Sequence, residues 1–225
     1  MTHGIQEAVA LAPARLKKSL GMEIGPWELG DVLDAVDGIA YAVDLDYRIS
    51  AVGRTRWNES ATNNGAPELG ATLMLGQNLF DFIQGDDVRE IYRRSIEKTM
   101  ETLQPVALAM RCDSPEIRRE LRLAITPLRT ATIVRGVLFQ SLAVDEQVRP
   151  PMDLFDFKAL IDFTDAERLL PLVSLCSFCA RVKQAASPAE SAWIDAEEYY
   201  QLGGTSKVRI SHGLCPECYR EHYEM

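Results

Sequence analysis

Two C-x-x-C pairs near the end of the chain, Cys176-Ser177-Phe178-Cys179 and Cys215-Pro216-Glu217-Cys218, constrain its fold more than any other feature. Two residues between paired cysteines let one tight turn aim both sulfurs at a single point, and two such turns complete a tetrahedron. Zinc prefers four tetrahedral ligands, and thiolates suit this borderline-soft ion. The spacing therefore predicts a structural Zn²⁺ held by Cys176, Cys179, Cys215 and Cys218. The stretch between the pairs is longer than in the most familiar zinc patterns and has room for one helix and a strand. Gly213 and Pro216 favour a tight knuckle at the second pair. Two other chemistries use the same residues. A redox-active dithiol shares the C-x-x-C arrangement but is expected near a βαβ unit, which the sequence does not offer. An iron–sulfur cluster also needs only four thiolates.

His212, three residues before Cys215, is a further candidate donor. With four thiolates at hand it reads as a group that orients a ligand or fixes the turn. His222 reads as a surface residue. Cys112, the fifth cysteine, alternates with Val106, Leu108 and Met110 and reads as a small hydrophobe on a sheet, facing the interior.

No apolar run approaches the roughly 20 residues that cross a bilayer, and the first 20 residues lack a basic start followed by an apolar block. The expectation is a cytoplasmic protein with no membrane partner, in which reduced thiols bind metal rather than form disulfides. Net charge is −9. Residues 1–149 carry 17 basic against 21 acidic side chains, and residues 150–225 carry 7 against 12. Both parts are acidic. Arg118, Arg119 and Arg122 form a short run that suits a solvated strand face, so no nucleic-acid partner is expected.

Residues 1–27 have helical composition, with Ile5, Val9, Leu16 and Leu20 in an apolar stripe, and a short helix follows that carries Leu29, Val32, Leu33 and Val36. IAYAVD (39–44) and YRISAV (47–52) are short β-type runs joined by a hairpin at Leu45-Asp46. A polar Asn- and Gly-rich stretch suits short helical turns. An amphipathic helix spans 86–102, with Val88, Ile91, Ile96 and Met100 on one face. Three strand-like runs close this segment. The order of elements predicts an α+β fold: a five-stranded antiparallel sheet with helices on one face. That order resembles a PAS domain over residues 28–145, through IAYAVDLDYRISAVG, Trp57-Asn58, GQNLFDFIQGDD and the last three strands. The resemblance implies a sensory or interaction module with its own core, homodimerisation through the N-terminal helices, and a cavity between sheet and helices that could take a small molecule.

Residues 146–163, with Pro150-Pro151, read as a linker, and a capped helix is expected over 164–172. Residues 164–225 then form the four-cysteine module, a small zinc knuckle or ribbon. CSFCARVKQ and SHGLCPECY resemble a cysteine-rich C-terminal module attached to several bacterial sensory and response-regulator proteins. That resemblance implies a compact metal-binding knuckle without catalytic activity.

Cofactor chemistry is sparse in the PAS-like stretch. Residues 28–145 contain no histidine for a haem, and GQNLFDFIQ places Leu79 where a flavin photosensor of this family has its cysteine, so neither haem nor flavin is expected. Leu79, Phe80, Phe82, Ile91, Met110 and Phe139 read as core. No Walker loop, G-x-S-x-G, H-E-x-x-H or kinase signature occurs. The expected function is that of a non-enzymatic bacterial signal-sensing or adaptor protein acting through contacts with a signalling protein. The alternative is a redox or metal sensor that uses the paired thiols.

Overall fold

The computed structural model describes residues 28–131, 133–156, 169–184 and 192–223. The helical segment expected over 1–27 lies outside these residues, as does most of the helix expected over 164–172.

Periodicity translates directly into the first half. β1 (Ile39–Asp44) and β2 (Ile49–Val52) form an antiparallel hairpin. β2 begins two residues later than its apolar run suggests. The Asp44 carboxylate accepts the backbone N–H groups of Asp46 at 2.9 Å and Arg48 at 2.8 Å, and Tyr47 adopts φ 60°. A side chain that satisfies turn amides locally competes with the ladder for them.

Before the hairpin, α1 (Leu29–Asp34) rests its Leu33 against Ala40, Ala42 and Ala51 on one face of the sheet. The other face takes α2 (Arg54–Asn63), α3 (Ala71–Met74) and α4 (Asp86–Thr102). Trp57 and Asn58 clamp this crossover. The Trp57 indole N–H donates to Leu69 O at 2.8 Å, and Asn58 Oδ1 accepts from Ala71 N–H at 2.8 Å. α4 buries Val88, Ile91, Tyr92, Ser95, Ile96 and Thr99, a stripe at three- and four-residue spacing.

β3 (Val106–Arg111), β4 (Ile117–Thr130) and β5 (Ile133–Val148) complete an antiparallel sheet in the order β2-β1-β5-β4-β3. Beneath the helices lie Leu108, Leu123, Ile125, Val137 and Phe139, and Phe139 stacks on Tyr41 at 4.9 Å. Of the residues read as core, Leu79, Ile91 and Phe139 are buried, Phe80 and Met110 are half-buried, and Phe82 is exposed.

β5 carries the chain through Val148, into the stretch expected as linker. A short 3-10 turn over Asp153–Phe155 follows, and Met152, Leu154 and Phe155 are buried. These three join Val173, Leu175, Ala180, Val182, Ala196 and Val208 in a second core. The residues between 149 and 156 are therefore a built part of the C-terminal module, and the expected free linker over 146–163 is corrected to that extent. The chain stays extended at Met152 after Pro150-Pro151, and its apolar side chains are buried all the same.

The module holds a second sheet of β6 (Leu172–Cys176), β7 (Val182–Lys183), β8 (Trp193–Ile194) and β9 (Arg209–Gly213), in the order β8-β7-β6-β9. β6 and β9 run parallel, which demands a crossover. The chain makes it through β7, β8 and α5 (Ala196–Gln201), and α6 (Pro216–Tyr223) closes the module. The module lies against the first sheet: Phe178, Cys176, Cys215 and Cys218 share one buried cluster with Ile91, Leu108 and Phe139.

Candidate metal centre

The parallel pairing of β6 with β9 sets Cys176 opposite Gly213, which brings the two C-x-x-C turns side by side. Cys176 ends β6. The turn after it closes with Ala180 N–H on Cys176 O at 2.9 Å and with Ala180 at φ 57°. At the second turn Cys215 precedes α6, whose first residue is Pro216, a position where proline loses no helical hydrogen bond. Tyr219 N–H donates to Cys215 O at 2.9 Å and carries the helix onward with Cys218 on its first turn.

All five cysteines are free thiols. The Sγ atoms of Cys176, Cys179, Cys215 and Cys218 lie within 4.8 Å of one another. Cys179 and Cys215 are 3.7 Å apart, Sγ to Sγ. A tetrahedral zinc with bonds of about 2.3 Å spaces its sulfurs about 3.8 Å apart, which the Cys179–Cys215 pair matches and the group as a whole approaches. Two backbone amides support the sulfurs: Cys215 N–H on Cys176 Sγ and Cys218 N–H on Cys215 Sγ, both at 3.4 Å.

Electrostatics also favours a cation. Hydrogen bonds from the Cys179 and Cys218 thiols hold the Cys176 thiol well below its usual range. Serving Cys176 in this way pushes Cys179 up to about 12 and Cys218 further up. One thiolate forms readily, and the next must form beside an existing negative charge. A divalent ion among the sulfurs removes that barrier.

Two histidines differ from each other. His212 lies on β9 with Nδ1 3.3 Å from Gln84 Oε1, outside the group of four sulfurs. Burial holds its imidazole below the usual range. His222, expected at the surface, is 5% exposed, and its ring lies 4.3 Å from that of Phe178. Its place one helical turn after Cys218 puts both on the buried face of α6. That spacing was readable in the sequence. Cys112 follows the end of β3 half-buried, its N–H donating to Arg119 O at 3.0 Å, and burial raises its thiol above the usual value.

The chain's other conspicuous polar construction was invisible in the sequence. The Asp113 side chain is 0% exposed and sits between Arg111 and Arg149, each 7% exposed. Asp113 accepts from Arg149 Nη1 at 2.9 Å, from Arg111, and from Arg119 N–H at 3.2 Å. Arg111 also donates to Cys179 O at 3.1 Å, and its own N–H donates to Phe178 O at 2.6 Å. Arg149 reaches Glu197 at 3.4 Å. The β3–β4 corner of the first sheet thus grips the first cysteine turn and α5. Arg111 is two residues from Asp113, but Arg149, Cys179 and Glu197 are far from both in sequence, so no local pattern announces the group.

Fold and site together define the class: an α+β protein with a PAS-like five-stranded sheet and a C-terminal four-cysteine cluster able to hold a metal ion. No protein-family model and no curated protein matches the chain. Three similar solved structures are of VqmA. VqmA bound to DPO is 14% identical, with a TM-score of 0.36 over 48% of this chain and 52% of that one. A Vibrio cholera VqmA–ligand–DNA complex is 14% identical, with a TM-score of 0.37 over 48% and 46%. A Vibrio cholerae VqmA dimer, described among LuxR-type receptors, is 13% identical, with a TM-score of 0.36 over 64% and 62%. The match spans less than two thirds of each of those chains. At these values the likeness does not say what this chain binds. It does correct one expectation. A similar structure is a complex with DNA, so the exclusion of nucleic acid is withdrawn. Its basis was charge counted along the sequence, which does not measure the local surface that the fold assembles. Among the described residues, no helix is long and apolar enough to cross a membrane.

Proposed function

We propose that this chain is a non-enzymatic signal-sensing or adaptor protein of the bacterial cytoplasm, acting through contacts with a signalling protein. In this reading its C-terminal module is held by one structural zinc ion. The observation that carries it is the closed group of four sulfurs within 4.8 Å, placed where the module meets the core of the PAS-like sheet. Cys176, Cys179, Cys215 and Cys218 would hold the ion, which supplies cross-linking rather than chemistry, as expected of a site with no open position.

Two further features support sensing. A cleft of about 430 Å³ opens beside the sheet, lined by Ile39, Ser60, Asn63, Cys112, Arg119 and Ser141 among others, and offers both apolar and hydrogen-bonding walls to a small molecule. On the opposite face α1 leaves Leu29 and Val32 exposed, an apolar strip suited to a second copy of the chain. The tests are elemental analysis of anaerobically purified protein, native mass spectrometry, and light scattering. About one zinc per chain and a dimer are expected. Zinc well below half occupancy, with iron or disulfides instead, would reject the zinc reading. A monomer at micromolar concentration rejects dimerisation. Binding to duplex DNA that weakens steeply with salt would replace a protein partner with a nucleic acid.

A further inference from the structure

The four sulfurs are unequally protected. Cys176, Cys215 and Cys218 are 3%, 1% and 6% exposed, whereas Cys179 is half-buried. Cys179 and Cys218 line a cleft of about 330 Å³ between the first sheet and α6, and the other two cysteines do not. Arg118 and His222 line the same cleft. Each carries a buried polar atom, Arg118 Nε and His222 Nδ1, with no hydrogen-bond partner among the described residues. Unpartnered buried polar atoms are uncommon in native structures and call for a reason. Both residues line the cleft that also presents two sulfurs of the metal centre. The combination suits a small guest that accepts and donates hydrogen bonds and reacts with thiolate.

We infer that this cleft admits a peroxide-class oxidant and that Cys179 and Cys218 are its targets. The inference rests on the zinc reading above and adds a regulation of that site. The Cys179 thiolate attacks one peroxide oxygen, the O–O bond breaks, and hydroxide leaves, giving a sulfenic acid. The Cys218 thiolate then attacks that sulfur, forming the disulfide and expelling a second hydroxide. Two thiolates are oxidised and one peroxide is reduced. Zinc, left with Cys176 and Cys215 alone, loses its closed shell and departs. The Arg118 guanidinium, on the wall of the same cleft, places a positive charge beside the leaving hydroxide.

The test uses the full zinc-loaded chain and one equivalent of hydrogen peroxide. Released zinc is followed with a chromogenic chelator, and disulfides are mapped by mass spectrometry after alkylation. The Cys179–Cys218 disulfide is expected first and in step with zinc release. Arg118→Gln should slow release by about tenfold, as befits loss of a cation beside the leaving hydroxide, while Cys112→Ser leaves the rate unchanged. Oxidation first at Cys112, a Cys176–Cys215 disulfide first, or an Arg118→Gln rate equal to the parent's overturns the inference, and the zinc reading stands. A chain that carries no zinc overturns both.

Discussion

Asp113 has no contact with water, and both of its oxygens are occupied by Arg111, Arg149 and the Arg119 amide. Removing one partner from a buried ionic group leaves the others charged and unpaired, which is far more damaging than never having had the group. Asp113→Asn is therefore expected to lower unfolding free energy by about 3–5 kcal/mol, read from the urea midpoint; a midpoint unchanged from the parent would mean that the arginines find other partners. Cys215→Ser tests the other side of this junction. It should abolish stoichiometric zinc and make residues 172–223 sensitive to protease, whereas Cys112→Ser should do neither. At this scale the cysteines were legible because ligand spacing is local. Asp113 and Arg149 were not, since they meet across 36 residues. His222 was misread although its four-residue offset from Cys218 was in plain view.

At the scale of elements, legibility followed the range of the forces. α4 matches its sequence limits because one face is apolar at its own period, and β1 because both of its faces are apolar and covered. β2 starts late because a single carboxylate satisfies the turn amides. The stretch MDLFDF was read as linker beside two prolines, yet Met152, Leu154 and Phe155 complete a core whose other members begin at Val173. Phe155 is 3% exposed there, under the Arg149 guanidinium at 4.5 Å. Phe155→Ala should remove about 3–5 kcal/mol and raise protease sensitivity within residues 172–223 while zinc still binds. Unchanged sensitivity would return this stretch to the status of a tether. Gly136 offers a second test in β5. A Cβ there would lie 2.0 Å from Val43 O, at a φ of 148°. Gly136→Ala should part β1 from β5 and lower the melting temperature by several degrees, a loss of roughly 1–3 kcal/mol.

For the whole molecule, the decisive feature is that the two sheets share a buried cluster. Residues 28–145 carry the PAS-like order on their own, but Phe178 completes their core, and its ring lies 6.5 Å from that of Tyr92. A chain cut after Arg149 would bare the Tyr92 surface that Phe178 now covers. We expect such a fragment to bind a hydrophobic dye and to unfold at lower urea than the intact protein. Equal midpoints and no dye binding would show two independent units. The sequence resemblance could describe each half. It could not describe their contact, since neither half carries a pattern that specifies the other.

The parallel pairing of β6 with β9 has a kinetic consequence. Those strands share no turn, so nothing local nucleates their meeting, and the loop between them must close before any ladder bond forms. A metal ion captured early by one cysteine pair and then the other would pay that closure entropy ahead of the strands. Refolding should then have a phase whose rate rises with free zinc, and in zinc-poor medium newly made chains would linger with their hydrophobic seam open to proteases and to one another.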